Sequence, residues 1–173
     1  MRIQAPVNCY FLRHGIAVEP DEWTGRDFDR PLTSEGIERM EREARAIAGL
    51  SLELDAIVTS PLLRALQTAE ILANHLKLRD DIVQDPRLAG GFDARRLSEI
   101  LAEHAEAKAI VLVGHEPTMS ATIGRIVGDA SIELKKAALA GVAFSDASAT
   151  RGTLICLIPP KILVKLGKDR SRS

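Results

Sequence analysis

Aromatic side chains are scarce in this chain: Phe, Tyr and Trp together make up 3% of its 173 residues. That argues against a base-stacking platform for single-stranded nucleic acid. Neither sign of charge dominates. Lys and Arg number 23 against 24 Asp and Glu, a formal net charge of −1, so the concentrated basic face needed for general nucleic-acid binding is missing. Cysteine is nearly absent. Cys9 and Cys156 each lie inside an apolar run and read as small core residues in a reducing compartment, not as a disulfide or metal framework. No apolar stretch reaches membrane-spanning length, and Met1-Arg2-Ile3-Gln4-Ala5-Pro6-Val7 lacks the apolar centre of a signal peptide. The expectation is a cytoplasmic protein with no membrane or nucleic-acid partner; its oligomeric state is not readable.

What is present is ordinary globular material, 46% hydrophobic and 27% charged. The length favours a single domain, expected over residues 1–160. Residues 161–173 form a basic tail ending Lys168-Asp169-Arg170-Ser171-Arg172-Ser173, expected to be solvated, frayed and peripheral.

Strand and helix signals alternate. The run Val7 to Leu12 reads as a strand that stops at Arg13-His14-Gly15, and a charged irregular stretch follows from Asp21 to Arg30. Thr33 can cap a helix whose apolar face would be Ile37, Met40, Ala44, Ile47 and Ala48. Ala56 to Thr59 reads as a second strand. Ser60-Pro61 then looks like a cap followed by a first-turn proline, opening a helix with Leu62, Leu66, Ala69, Leu72 and Leu76 inward. A weak strand at Ile82-Val83 leads through Asp85 to a helix capped by Asp93, with Leu97, Ile100 and Leu101 facing in. Ala109 to Val113 is the most strand-like run; after Gly114-His115-Glu116-Pro117, a fourth helix buries Met119, Ile123, Ile126 and Val127. Ala140 to Phe144 and Thr153 to Ile158 read as a closing hairpin.

This order predicts a three-layer α/β/α sandwich on a mixed, mostly parallel sheet. Ligands of such sheets bind beyond the carboxyl ends of the strands. Those ends carry Arg13-His14, Ser60-Pro61 with Arg64 one turn on, and Gly114-His115. Two guanidiniums suit a dianionic phosphoryl group, each offering a planar fork of donors, and the helix starts after Ser60 and Glu116 would add N–H groups. A neutral imidazole can attack phosphorus, and a second can donate to an oxygen that gathers charge. No carboxylate cluster of the kind Mg²⁺ needs accompanies them, so phosphoryl transfer without a metal or other cofactor is expected.

Four segments resemble one family. Leu12-Arg13-His14-Gly15 is similar to the RHG signature of the histidine phosphatase superfamily, also called phosphoglycerate mutase-like. Ser60-Pro61-Leu62-Leu63-Arg64-Ala65-Leu66-Gln67-Thr68-Ala69 resembles its SPxxRAxQTA motif, and Val113-Gly114-His115-Glu116-Pro117 its second-histidine segment. Arg30-Pro31-Leu32-Thr33-Ser34-Glu35-Gly36 resembles the stretch found in the short SixA-like branch of phosphohistidine phosphatases. The resemblance implies a six-stranded sheet with one antiparallel strand near an edge. It implies His14 as nucleophile, Arg13 and Arg64 as clamps on the phosphoryl oxygens, His115 as an oxygen donor, and Arg30 at the mouth of the pocket. Arg30 could equally be a loop partner of Asp27 or Asp29. His75 and His104 read as structural or solvent-facing, and Trp23 either covers the site or packs on the body.

The sequence departs from the mutases and acid-phosphatase-like members in one respect. After the third strand it reads Asp85-Pro86-Arg87-Leu88-Ala89-Gly90-Gly91-Phe92-Asp93, without the glutamate that protonates a leaving oxygen. General acid catalysis contributes ~10²–10⁴-fold, so its loss disfavours sugar alkoxides and favours a phosphoramidate. The segment also has no room for a large lid. The leading expectation is a phosphatase of a phosphohistidine-bearing protein. Alternatives are a small-molecule phosphomonoesterase using Asp85 or Asp93, and a phosphate-binding module without turnover.

Overall fold

The structure, a computed structural model, describes residues 6–146 and 148–169. Residues 1–5, read above as carrying no leader, and residues 170–173 of the tail lie outside that range.

Six strands form one sheet: β1 (Val7–Arg13), β2 (Ala56–Thr59), β3 (Ile82–Gln84), β4 (Ala109–Gly114), β5 (Leu139–Phe144) and β6 (Thr153–Ile158), in the order β3-β2-β4-β1-β5-β6. The pairs β2·β3, β2·β4 and β1·β4 are parallel, and β5 runs antiparallel to both β1 and β6. The one antiparallel strand is thus second from the edge. Successive side chains of a strand point to opposite faces, and the sheet feeds a core on each side. Cys9, Phe11, Ile110 and Leu112 face one core, where Leu97, Ile100, Met119 and Ile123 pack from α3 (Ala94–Glu103) and α4 (Thr118–Ile126). Tyr10, Leu12, Val111 and Val113 face the other, covered by Met40, Ala44 and Ile47 of α1 (Ser34–Gly49) and Ala65, Ala69 and Leu72 of α2 (Leu63–Leu76). This is the expected three-layer sandwich.

Local signals hold at several points. Thr33 Oγ1 accepts the Gly36 N–H at 2.9 Å, and Asp93 Oδ1 accepts that of Arg96 at 2.9 Å. Gly36 is required by close approach, since a Cβ there would meet the Ile16 carbonyl oxygen at 2.0 Å.

Four expectations need correction. Ser60-Pro61 does not open the second helix; α2 starts at Leu63 with Leu62 as its cap residue, because Ser60 still extends the ladder, its N–H bonding Val113 O at 2.9 Å. The buried face of α2 is accordingly rotated to Ala65, Thr68, Ala69 and Leu72, with Leu62, Leu66 and Leu76 half-buried. In α1, Ile37 is 39% exposed and Ala48 half-buried, while Glu43 and Ala46 are buried. Finally, the start of the basic tail is not frayed. Pro160–Asp169 forms α5 on α1, with Leu163 wholly buried in the second core and the Arg45 guanidinium donating to Gly167 O at 3.1 Å. The amphipathic spacing of Leu163 supplies what the charges conceal. A Cβ at Gly167 would meet Arg42 O at 2.0 Å, so the helices touch backbone to backbone.

Among the described residues no helix is long and apolar enough to cross a membrane. Cys9 is buried, Cys156 half-buried, and both are free thiols.

Candidate active site

Strand register builds the site. Arg13 is paired with Gly114 across β1 and β4, and the His14 N–H bonds Gly114 O at 3.1 Å. The next residue on each strand is a histidine, so His14 and His115 leave the sheet side by side, ring centroids 5.2 Å apart. The turn leading into β5 secures this end from the other side, the Ala137 N–H bonding both Arg13 O at 3.0 Å and His14 O at 3.1 Å.

His14 is 7% exposed. Its Nδ1 lies 2.7 Å from Gly15 O. A carbonyl can only accept, so in the neutral ring Nδ1 carries the proton and Nε2 presents a lone pair. The ring is held neutral. Burial pushes its pKa down to about 3, with the Gly15 carbonyl acting the other way and His115, Arg64 and Arg13 adding to the depression. Thr68 braces the loop, accepting the Gly15 N–H at 3.0 Å while donating to Arg64 O at 2.8 Å. For His115, burial first and the charge of Arg64 next push the pKa down to about 4. Its Nε2 is 2.7 Å from Ser60 Oγ.

Arg13 donates through Nη1 to Leu134 O at 3.0 Å. Arg64, 6% exposed, donates from Nη1 to Asp27 O at 2.9 Å and from Nη2 to Asp27 Oδ2 at 3.1 Å. Arg30 bonds Asp27 Oδ1 at 2.9 Å and Val18 O at 2.6 Å. Arg30 is thus a loop partner of Asp27, as one of the two readings had it, and its charge acts on His115 and Arg64. Asp27 itself is pushed up by burial, but the hydrogen bond from Arg30 and the charge of Arg64 outweigh this and hold it below the usual carboxylate range.

Buried polar atoms almost always have partners. Among the described residues three buried side-chain atoms have none: Arg13 Nε, Arg64 Nε and His115 Nδ1. All three belong to the residues gathered at these strand ends.

The other candidates make contacts of their own. His75 Nε2 bonds Glu41 at 2.6 Å, and His104 ends α3. Trp23 is braced in its own loop, Nε1 donating to Arg26 O at 2.9 Å. Asp85 accepts the Arg87 N–H at 2.8 Å and its guanidinium at 2.6 Å, and these bonds hold its carboxyl below the ordinary range despite burial. No group of three His, Cys, Asp or Glu side chains suited to a metal occurs among the described residues. Sequence reasoning missed the roles of Asp27, Ser60 and Thr68. The last two lie inside the SPxxRAxQTA segment, and polar residues on a buried helix face are the signal that could have found Thr68.

A family model for the histidine phosphatase superfamily (branch 1) matches residues 9–90. An uncharacterized protein of a Picosynechococcus strain is 36% identical over 170 residues, covering 91% of this chain and 99% of that protein. The structure of the protein histidine phosphatase SixA complexed with tungstate superposes with a TM-score of 0.79 at 25% identity, over 90% of this chain and 98% of that one. A SixA of Agrobacterium tumefaciens gives 0.74 at 27% identity, over 90% and 99%. A phosphoglycerate mutase from Bacillus anthracis shares the fold, with a TM-score of 0.69 at 13% identity over 96% and 98%. With its RHG strand end, its paired histidines and these relatives, the chain belongs to the histidine phosphatase superfamily and is SixA-like.

Proposed function

We propose that this chain is a phosphohistidine phosphatase that dephosphorylates a histidine on another protein through a phosphoryl intermediate on His14. The observation that carries the reading is the trio of unpartnered nitrogens, Arg13 Nε, Arg64 Nε and His115 Nδ1, around a histidine held neutral with Nε2 free. In the first step His14 Nε2 attacks phosphorus. The Nε2–P bond forms as the substrate's P–N bond breaks, and the departing imidazole takes a proton from water. In the second step water attacks phosphorus, the bond to Nε2 breaks, and inorganic phosphate leaves. Arg13, Arg64 and His115 hold the three oxygens on which charge is spread, and Arg30 lines the mouth. None of these roles calls on a metal ion or cofactor.

The substrate class follows from what is committed elsewhere. Asp85 is tied to Arg87 and Asp93 caps α3, so neither is offered as an acid for an alkoxide. A phosphoramidate nitrogen leaves without one. The similarity to structures named SixA points the same way.

The test is phosphoenzyme trapping. Mixed with a phosphohistidine protein and quenched in alkali, the wild type should carry an acid-labile phosphoryl group, and His14→Ala should carry none and show no turnover. Turnover by a folded His14→Ala would overturn the mechanism. Efficient sugar-phosphate hydrolysis with inert phosphohistidine would overturn the substrate class.

A further inference from the structure

A neutral imidazole has a single N–H to place on two nitrogens. For His115 the placement decides whether the ring helps or opposes an incoming anion. Nδ1 is buried and unpartnered, and Nε2 faces Ser60 Oγ at 2.7 Å. An N–H on Nδ1 can donate to a phosphoryl oxygen, whereas a lone pair there repels it.

Ser60 is wholly buried and locked in place. Its N–H bonds Val113 O at 2.9 Å, continuing the ladder in which Thr59 pairs with Val113. Ser60 is thereby set beside the strand end that delivers His115. Its hydroxyl oxygen already accepts the Leu62 N–H at 3.3 Å. The hydroxyl proton then needs an acceptor, and Nε2 stands within reach. In the reverse arrangement Nε2–H would donate to Oγ and strand the hydroxyl proton. Without an anion each arrangement leaves one buried donor unpaired, Nδ1–H in the first and the hydroxyl proton in the second. The second also leaves Nδ1 as an unpaired buried acceptor, and unpaired buried groups are costly, so the balance favours the Nδ1–H tautomer.

We infer that Ser60 is a positioning residue: its hydroxyl donates to His115 Nε2, fixes the ring as the Nδ1–H tautomer, and so aims that N–H at the phosphoryl oxygen. The consequence for turnover rests on the phosphoryl-transfer reading above; the tautomer itself is a property of the free protein.

The test uses wild-type protein labelled with ¹⁵N-histidine, the His115 signals being assigned by their loss in His115→Gln. At pH 7 the wild type should show a protonated Nδ1 and an unprotonated Nε2. Ser60→Ala should move the signals toward the reverse tautomer. Removing an oxyanion donor costs ~10²–10³-fold; misdirecting one should lower kcat/KM on a phosphohistidine protein by on the order of 10-fold or more. Ser60→Thr, which keeps the hydroxyl, should retain the wild-type tautomer. A wild-type ring protonated at Nε2 overturns the inference, as does a Ser60→Ala protein with unchanged tautomer and turnover. Should Ser60→Ala not fold, the wild-type spectrum alone decides. A wild type inert on phosphohistidine overturns the functional reading, and the spectrum still decides the role of Ser60.

Discussion

Asp27 grips Arg64 twice across 37 positions of sequence, with its main-chain oxygen 2.9 Å from Nη1 and its carboxylate 3.1 Å from Nη2. The same carboxylate holds Arg30 at 2.9 Å, so one negative charge offsets two positive ones beside His115. Asp27→Asn keeps the shape and the main-chain contact but removes the charge. Inhibition by inorganic phosphate should then strengthen by up to about 5-fold, the scale of an exposed ion pair, and the gain should fade at high salt. Weaker phosphate inhibition in the variant would mean that the charge serves to aim the arginines.

Arg64→Lys tests the fork. A lysine ammonium keeps the charge but not the planar donor pair, and it cannot restore both contacts to Asp27. We expect kcat/KM to fall at least ~10-fold, about 1.4 kcal/mol of transition-state stabilisation. Steady-state kinetics with near-wild-type values would refute the clamp.

Burial of two neutral histidines predicts an acid-sensitive fold. Unfolded, each imidazole titrates near ~6.5; folded, His14 and His115 are pushed down to about 3 and about 4. Between these values the unfolded chain binds more protons, so stability falls as pH drops. Each should cost on the order of 2 kcal/mol by pH ~5. Urea titrations of wild type and His14→Gln should show the variant losing less stability between neutral and acid pH.

Glu43 works in the opposite direction. Buried in α1 with Arg39 Nη2 4.0 Å away, its carboxyl is pushed up by burial to about 8. Folded protein holds this proton over a range where the unfolded chain releases it, so this contribution is lost as pH rises toward 8. Glu43→Gln should stabilise the protein at pH ~8 by on the order of a few kcal/mol and leave acid stability unchanged. Thermal melts across the range would reveal an absent effect at once.

Asp85 is predicted to matter for the fold and little for the chemistry. Asp85→Asn loosens the charged bonds to Arg87, worth about 1.5–3 kcal/mol at most, and should lower Tm while phosphohistidine turnover stays within about 2-fold, a change too small to be a lost general acid. Collapse of turnover at unchanged Tm would assign Asp85 as an acid.

Strand ends were the legible part of the site, because apolar runs stop abruptly where Arg13, Ser60 and His115 begin. What stayed hidden depends on contacts that no local pattern encodes. Asp27 looks like any loop acid until folding sets it against α2. Glu43 is buried on a helix whose hydrophobic spacing assigns that position to water, and α1 packs against both α2 and α5. The basic composition of residues 161–173 hides a helix whose burial of Leu163 exists only when α1 is there to receive it. Ser60 reads as a helix cap by residue type, and only the register of β2 against β4 turns its hydroxyl to His115.

The placing of β1 between β4 and β5 has a consequence for motion. Amides of Cys9, Phe11 and their partners, paired on both sides and dry on both faces, should be among the last to exchange with heavy water. The segment from Glu19 to Arg30, made of two short 3-10 turns with no buried residue, should exchange early and be the first cut by a protease. His14 thus directly follows a strand expected to exchange slowly, while Arg30 and Asp27 lie in a segment expected to open early, so opening of that segment should leave the backbone at His14 in place.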